Sequence, residues 1–264
     1  MGQKAKFGGM DLNISVKSQE NWTQPDTLWS ALSIDKLIQA KGKQPVILSL
    51  IGGGGKTSYI RRLAWEGREK GFKVLVMTTT HMASPKQFAV LERDLEMTDK
   101  MLEKESIAVA GRPVKDGKIA FWDEDFYKKA LELADVVLIE ADGSKRLPVK
   151  VPGPNEPVIP EDSDAIICIY GLDAVGKQAD ACCFRLNQAE GLLNLKEEEK
   201  NGNWIMTEEK MACLMEKGYL KRFKKEFPGR FVIGALNQAD TKEAEETGRN
   251  ILKRTGQEQG ILTG

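Results

Sequence analysis

One histidine, His81, is all the sequence holds of the commonest metal ligand, which excludes a multi-histidine metal centre within one chain. Four cysteines are present, Cys168, Cys182, Cys183 and Cys213, but none shows the CxxC spacing of a zinc site. Reduced thiols in a reducing compartment are the expected state. No uninterrupted apolar run approaches the roughly 20 residues of a membrane helix. The opening stretch MGQKAKFGGMDLN has no apolar segment of secretory type, so the expectation is a cytoplasmic protein with no membrane partner. An excess of charge of one sign is missing too: 39 Lys and Arg face 39 Asp and Glu. Zero net charge argues against a protein that coats nucleic acid, but leaves room for a local phosphate site. What is present is a chain of 264 residues, 41% hydrophobic, enough for one large domain with a core of its own.

Residues 1–25 are polar and aperiodic and read as an irregular or short β extension; residues 26–264 read as a single α/β domain. Leu28, Leu32, Ile34, Leu37 and Ile38 have helical spacing, entered through Asp26 as a cap. Apolar runs at 46–51, 73–80, 106–111, 135–142, 164–171 and 231–237 read as strands, with 117–122 as an additional one. Helical patterns fall at 56–71, 86–101, 124–133, 186–195, 207–214 and 243–254. Strands that look buried on both faces, alternating with helices, predict a doubly wound, mostly parallel sheet. In such sheets ligands lie beyond the carboxyl ends of the strands, so the residues just after each apolar run carry the chemistry.

After the first of these strands come Gly52, Gly53, Gly54, Gly55, Lys56, Thr57 and Ser58, followed by a helix. Glycines allow positive φ and let backbone N–H groups surround phosphate oxygens, while the positive end of the helix adds attraction. Lys56 is expected to reach the β- and γ-phosphates, and Thr57, with Ser58 as the next candidate, to ligate Mg2+. Position 50 is Leu50, so the loop is a shortened G-x-x-G-K-T, similar to that of the Mur-ligase group of ATP-dependent enzymes.

Glu140 and Asp142 emerge at the end of another buried strand, where a carboxylate can hold Mg2+ or orient the attacking water. Glu140-Ala141-Asp142-Gly143 resembles the Walker B and switch element of the nickel-insertion GTPases. Glu140 is the first choice for the metal, with Asp142 next. Lys145, Arg146 and Lys150 follow closely, either as anion binders or as a solvated basic loop. At the end of the second strand Thr78, Thr79 and Thr80 offer hydroxyls. There His81 is either a proton donor and acceptor or a histidine satisfied by nearby backbone. Asn237-Gln238-Ala239-Asp240 resembles the N-K-x-D element of GTPases, in which Asp240 would take two guanine donors; a plain turn is the alternative. Cys182 and Cys183 could engage a soft ligand, or be inert and buried.

LIGGGGKTS, MTTTHM, LIEADGSKRLPVKVP with EPVIP, GLDAVGK and ALNQAD occur in this order. Together they resemble the YqeC family, accessory proteins of selenium-dependent molybdenum hydroxylases, over about residues 28 to 254. The resemblance implies a P-loop NTPase fold and a role in maturing a selenium-containing molybdenum cofactor. Its partner would be the hydroxylase or its cofactor-maturation machinery. Family proteins usually carry a lysine where this chain has Gln238, so ATP and GTP both stay open. The expected protein is a Mg2+-dependent nucleoside triphosphate hydrolase. The alternatives are a ligase or kinase acting on a small anionic acceptor, and a non-catalytic nucleotide-sensing module.

Overall fold

All seven residues of Val46–Gly52 are buried, as are all of Val136–Glu140 and Ala165–Gly171. Strands with no solvent face need a helical layer on each side. A computed structural model describes residues 13–264 and shows how the chain supplies both layers. The first half runs β1 (Ile14–Ser18), β2 (Asn21–Thr23), α1 (Leu28–Ala31), α2 (Ile34–Lys41), β3 (Val46–Gly52), α3 (Lys56–Glu69), β4 (Val74–Thr78), β5 (His81–Ala83) and β6 (Ala89–Val90). It continues with α4 (Leu95–Glu105), β7 (Ile107–Ala110), β8 (Arg112–Val114), β9 (Lys118–Ala120) and α5 (Glu124–Leu131). The second half runs β10 (Val136–Glu140), β11 (Val149–Lys150), β12 (Ala165–Gly171), α6 (Ala179–Cys182), β13 (Cys183–Phe184), α7 (Leu186–Leu193) and α8 (Glu208–Met215). A π-helical turn (Glu216–Leu220) leads into α9 (Lys221–Glu226), β14 (Phe231–Asn237), α10 (Lys242–Arg254) and β15 (Gln259–Thr263).

Ten strands form the main sheet, in the order β2-β1-β15-β14-β12-β3-β10-β4-β7-β6. Pairings from β15 across to β6 are parallel. Only β1 runs against its neighbours β15 and β2. From β3 the chain moves outward to β4, β6 and β7 on one side. It then returns to lay β10 beside β3, and crosses to β12, β14 and β15 on the other. The strand order therefore reverses at β3, which is where an α/β sheet opens a crevice at its carboxyl edge.

Alternation along each strand divides the core in two. Val46, Leu48 and Leu50 pack with Trp29, Ile34, Tyr59 and Leu63 from α1, α2 and α3. Ile47 and Ile51 face the other way, toward Phe126, Met211, Phe223 and Ile251 from α5, α8, α9 and α10. The expected doubly wound α/β architecture with a mostly parallel sheet is what the chain adopts. No helix among the described residues is long and apolar enough to cross a membrane.

Several local expectations are corrected. The helix expected from Asp26 is two short ones: Thr27, not Asp26, caps α1 by accepting from Ser30 N–H, and Ser33 at φ 53° breaks the run. The stretch 86–101 is not one helix. Its first part forms β6, and α4 starts only where Asp94 caps the Met97 N–H at 2.9 Å. The strand expected at 117–122 exists as β9 but belongs to a separate antiparallel sheet with β5 and β8. Residues 1–12 of the expected extension lie outside the described residues, and the rest contributes β1 and β2 to the sheet edge.

Candidate functional site at the glycine loop

β3 hands over to α3 through three residues, and the turn is possible only with glycine. Gly52, Gly54 and Gly55 have φ of 95°, 62° and 119°, values that residues with a Cβ rarely adopt. Space is as restrictive as torsion. A Cβ on Gly54 would lie 2.0 Å from the Gly171 nitrogen, and one on Gly53 2.5 Å from the Leu147 carbonyl oxygen. The loop is thus wedged between residues 147–148 and the end of β12. It is also hydrogen-bonded there: Gly53 N–H donates to Ile169 O at 2.8 Å and Gly54 N–H to Leu147 O at 3.4 Å. Gly52 N–H donates to Asp142 Oδ2 at 3.1 Å. The N–H groups of Gly55, Lys56 and Thr57, at the positive end of α3, have no acceptor among the described residues. Those three, rather than the whole loop, are the donors left for an anion.

Lys56 is buried and folds back over its own loop, donating to the Gly52 carbonyl. Its Nζ also lies 3.1 Å from Asp142 Oδ1. The other carboxylate oxygen of Asp142 lies 3.1 Å from Lys150 Nζ. Lys150, read from the sequence either as an anion binder or as part of a solvated basic loop, is wholly buried, donating to Glu156 Oε2 at 2.7 Å and to Gly143 O at 2.6 Å. Arg185 closes the chain of charges with a 2.6 Å contact to Glu156. Burial pushes the Glu156 carboxyl up, but hydrogen bonds from Lys150 and Arg185 outweigh it and hold the group below its usual range. A buried charge survives only with such partners. Asp142 accepts a hydrogen bond from Gly52 N–H and stands in ion-pair contact with Lys56 and Lys150, so it braces Lys56, while its buried Oδ1 has no hydrogen-bond partner among the described residues.

Glu140 has the opposite electrostatics. Burial raises its carboxyl above the ordinary glutamate value, with Lys56 opposing and the neighbouring Asp142 reinforcing the rise. Its main partner is the Thr57 hydroxyl, which donates to Oε2 across a long 3.4 Å. One carboxylate and one hydroxyl side by side suit Mg2+, which takes few protein ligands and fills the rest of its octahedron with phosphate oxygens and water. No cluster of three or more acidic, histidine or cysteine side chains able to hold a metal exists among the described residues. Thr78 Oγ1 donates to the Glu140 carbonyl at 2.8 Å, tying β4 to β10 at this point. Thr79 Oγ1 donates to Val158 O at 2.6 Å, while Thr80 Oγ1 is buried with no hydrogen-bond partner.

Of the other expected site residues, Asn237 reaches the loop through its side chain and the rest make no side-chain hydrogen bond to it. Ser58 is exposed on the outer side of α3. His81 is exposed in β5, paired with Ala120 in the small sheet rather than turned to the loop. Asn237 reaches the loop as a structural clamp: its Nδ2 donates to Gly54 O at 3.0 Å, and its Oδ1 accepts from Thr263, which contacts Tyr59. Asp240 is exposed beyond it. Lys145 and Arg146 are exposed, with Lys145 Nζ 4.9 Å from the Phe184 ring centroid. Cys182 and Cys183 are buried, and burial pushes their thiols up to about 11 and about 12, against the soft-ligand reading. Glu156 joins the buried charge network from the EPVIP segment, and that segment is the sequence signal for it.

The geometry defines a mostly parallel α/β protein with a braced glycine loop at its switch point. The chain belongs to the YqeC family, whose family model, described as YqeC protein, matches residues 48–187. That span holds the loop, Glu140, Asp142, Lys150 and Glu156, but not Asn237 or Asp240. The chain is also similar to "Uncharacterized protein YqeC" of Escherichia coli (strain K12), at 35% identity over 157 residues, covering 56% of this chain and 59% of the relative. It therefore spans less than two thirds of the length of that curated relative.

Proposed function

We propose that the chain binds a nucleoside triphosphate with Mg2+ at the glycine loop and hydrolyses it. The observation that carries this reading is the posture of Lys56. A lysine ammonium is held in the interior of a glycine turn, paired with Asp142, beside three unspent N–H groups at a helix N-terminus, an arrangement suited to a phosphate. Gly55, Lys56 and Thr57 donate to phosphate oxygens, while Lys56 neutralises the charge that develops as the terminal phosphoryl group departs. Thr57 and Glu140 hold Mg2+, which supplies further charge neutralisation there. Asp142 keeps Lys56 in place. Membership of the YqeC family supports placing this activity in the maturation of a selenium-dependent molybdenum hydroxylase, as the motif resemblance implies.

Calorimetry with Mg2+ and either ATP or GTP is the direct test. Binding is expected for the native protein, with a loss of about 100-fold or more in Lys56→Ala, as for removal of a charged, buried contact. Equal binding by the variant, or none by the native protein, overturns the site. Transfer of the phosphoryl group to a small anionic acceptor in place of water is a second reading, favoured by a cavity that opens beside Thr57. A phosphorylated acceptor among the products supports it; free phosphate alone counts against it.

A further inference from the structure

A cavity of about 440 Å³ starts at Thr57 and runs along α3. Thr57, Arg61 and Trp65 follow one another at four-residue spacing, so they form one stripe on the helix. At 1.5 Å per residue, the stripe from Thr57 to Trp65 is about 12 Å long. Phe88 and Met82, from the segment after β4, contribute to the opposing wall, and Val76 and Val109 close the floor. Arg61 and Lys86 stand on the walls, both exposed and neither in an ion pair among the described residues. No carboxylate lines the cavity.

We infer that this cavity is a binding site for a small anion with a flat apolar body, which lies against Phe88, Met82 and Val109 with its negative group toward Arg61 and Lys86. Apolar walls with few polar groups are the usual make-up of a small-molecule site, and the volume lies in the usual range of about 300–1,000 Å³. Unpaired cations on such walls select charge, and aromatic faces select flatness. The Arg68 guanidinium already covers both aromatic rings, 5.2 Å from the Trp65 centroid and 5.6 Å from that of Phe88, which leaves Arg61 and Lys86 as the unpaired cations of the cavity. The proposed ligand is a second molecule beside the nucleotide, because the cavity runs away from the glycine loop along α3 and lies over β4 and β7. The inference rests on the proposed function in one respect: with Thr57 as a metal and phosphate contact, the inner end of the cavity opens at the transferable phosphoryl group. The occupant is then the acceptor of the second reading.

Two naphthalene probes test it, 1-anilinonaphthalene-8-sulfonate and its uncharged counterpart N-phenyl-1-naphthylamine, followed by fluorescence on the full chain. The sulfonate is expected to bind saturably, at least about tenfold tighter than the neutral ring. Arg61→Ala and Lys86→Ala should each weaken it about tenfold, the scale of one lost charged contact. Both side chains are exposed, and an unchanged urea midpoint confirms that each variant is folded. Equal affinity for the two probes, no sulfonate binding, or no effect of either substitution overturns the inference. Nucleotide binding is read separately, through Lys56→Ala, so failure there leaves the cavity result standing, and the reverse holds too.

Discussion

Lys150 Nζ lies 3.1 Å from Asp142 Oδ2, and neither side chain has any exposure to solvent. This buried pair, not an exposed basic patch, connects the acidic strand end to the segment that packs against the glycine loop. Removing one partner strands the other charge away from water. Lys150→Met is therefore expected to destabilise the protein by about 3–5 kcal/mol, seen as a lower urea midpoint. Lys145→Ala, five residues away and exposed, should change stability by less than about 0.5 kcal/mol. Similar effects for the two would contradict the burial of Lys150.

Gly54 and Gly143 make a matched pair of tests. A methyl group on Gly54 meets the Gly171 nitrogen at 2.0 Å, at a φ of 62°. Gly54→Ala should cost about 1–3 kcal/mol from overpacking and abolish nucleotide binding by moving the loop. A Cβ on Gly143 meets nothing within 4 Å, at a φ outside the left-handed region. Gly143→Ala should therefore retain both stability and binding, although it too belongs to a motif. Thermal melts and calorimetry on the two variants decide the matter.

Burial raises the Glu140 carboxyl, so the folded protein favours its protonated form. A raised carboxylate gives the fold an advantage at low pH. That advantage disappears as pH rises from the ordinary glutamate range through the raised value. Metal binding runs the other way, because only the carboxylate can hold Mg2+. Mg2+-dependent nucleotide affinity is expected to fall as pH is lowered through that raised value. Glu140→Gln should flatten this pH profile and weaken Mg2+ binding at least about tenfold. A profile unchanged by the substitution would remove Glu140 from the metal site.

The thiols of Cys182 and Cys183, pushed up to about 11 and about 12, remain protonated and buried near neutral pH. The thiolate is the nucleophile that attacks a disulfide reagent, so titration with Ellman's reagent at pH 8 should modify the half-exposed Cys213 first, releasing thionitrobenzoate. Cys168, Cys182 and Cys183 should react only with unfolding. Fast reaction of Cys182 or Cys183 in the folded protein would restore them as ligand candidates.

Contiguous features were legible in the residues alone. An apolar run, four glycines, a lysine and an amphipathic stretch sit side by side in the chain, and local sterics and periodicity suffice to make strand, loop and helix of them. The same holds for the buried strand that delivers Glu140 and Asp142 to the carboxyl edge of the sheet. Helix boundaries were less legible, because Thr27 and Asp94 rather than the apolar pattern set where α1 and α4 begin.

Relations between distant residues were decided only by tertiary packing. Asn237 looks like a base reader in its own tetrapeptide, yet it spends its amide on Gly54, 183 positions away. Lys150 looks like a surface cation among Lys145 and Arg146, yet the pairing of β11 with β13 seals it beside Asp142 and Glu156. Strands β1 and β15 pair across nearly the whole chain. Sequence proximity carries no information about such contacts, since which polar group is buried, and against what, depends on how the layers close. Short-range chemistry therefore named the loop and its acids, while long-range packing assigned Lys56 its partner, gave Asp142 its bracing role, and set His81 and Asp240 in solvent.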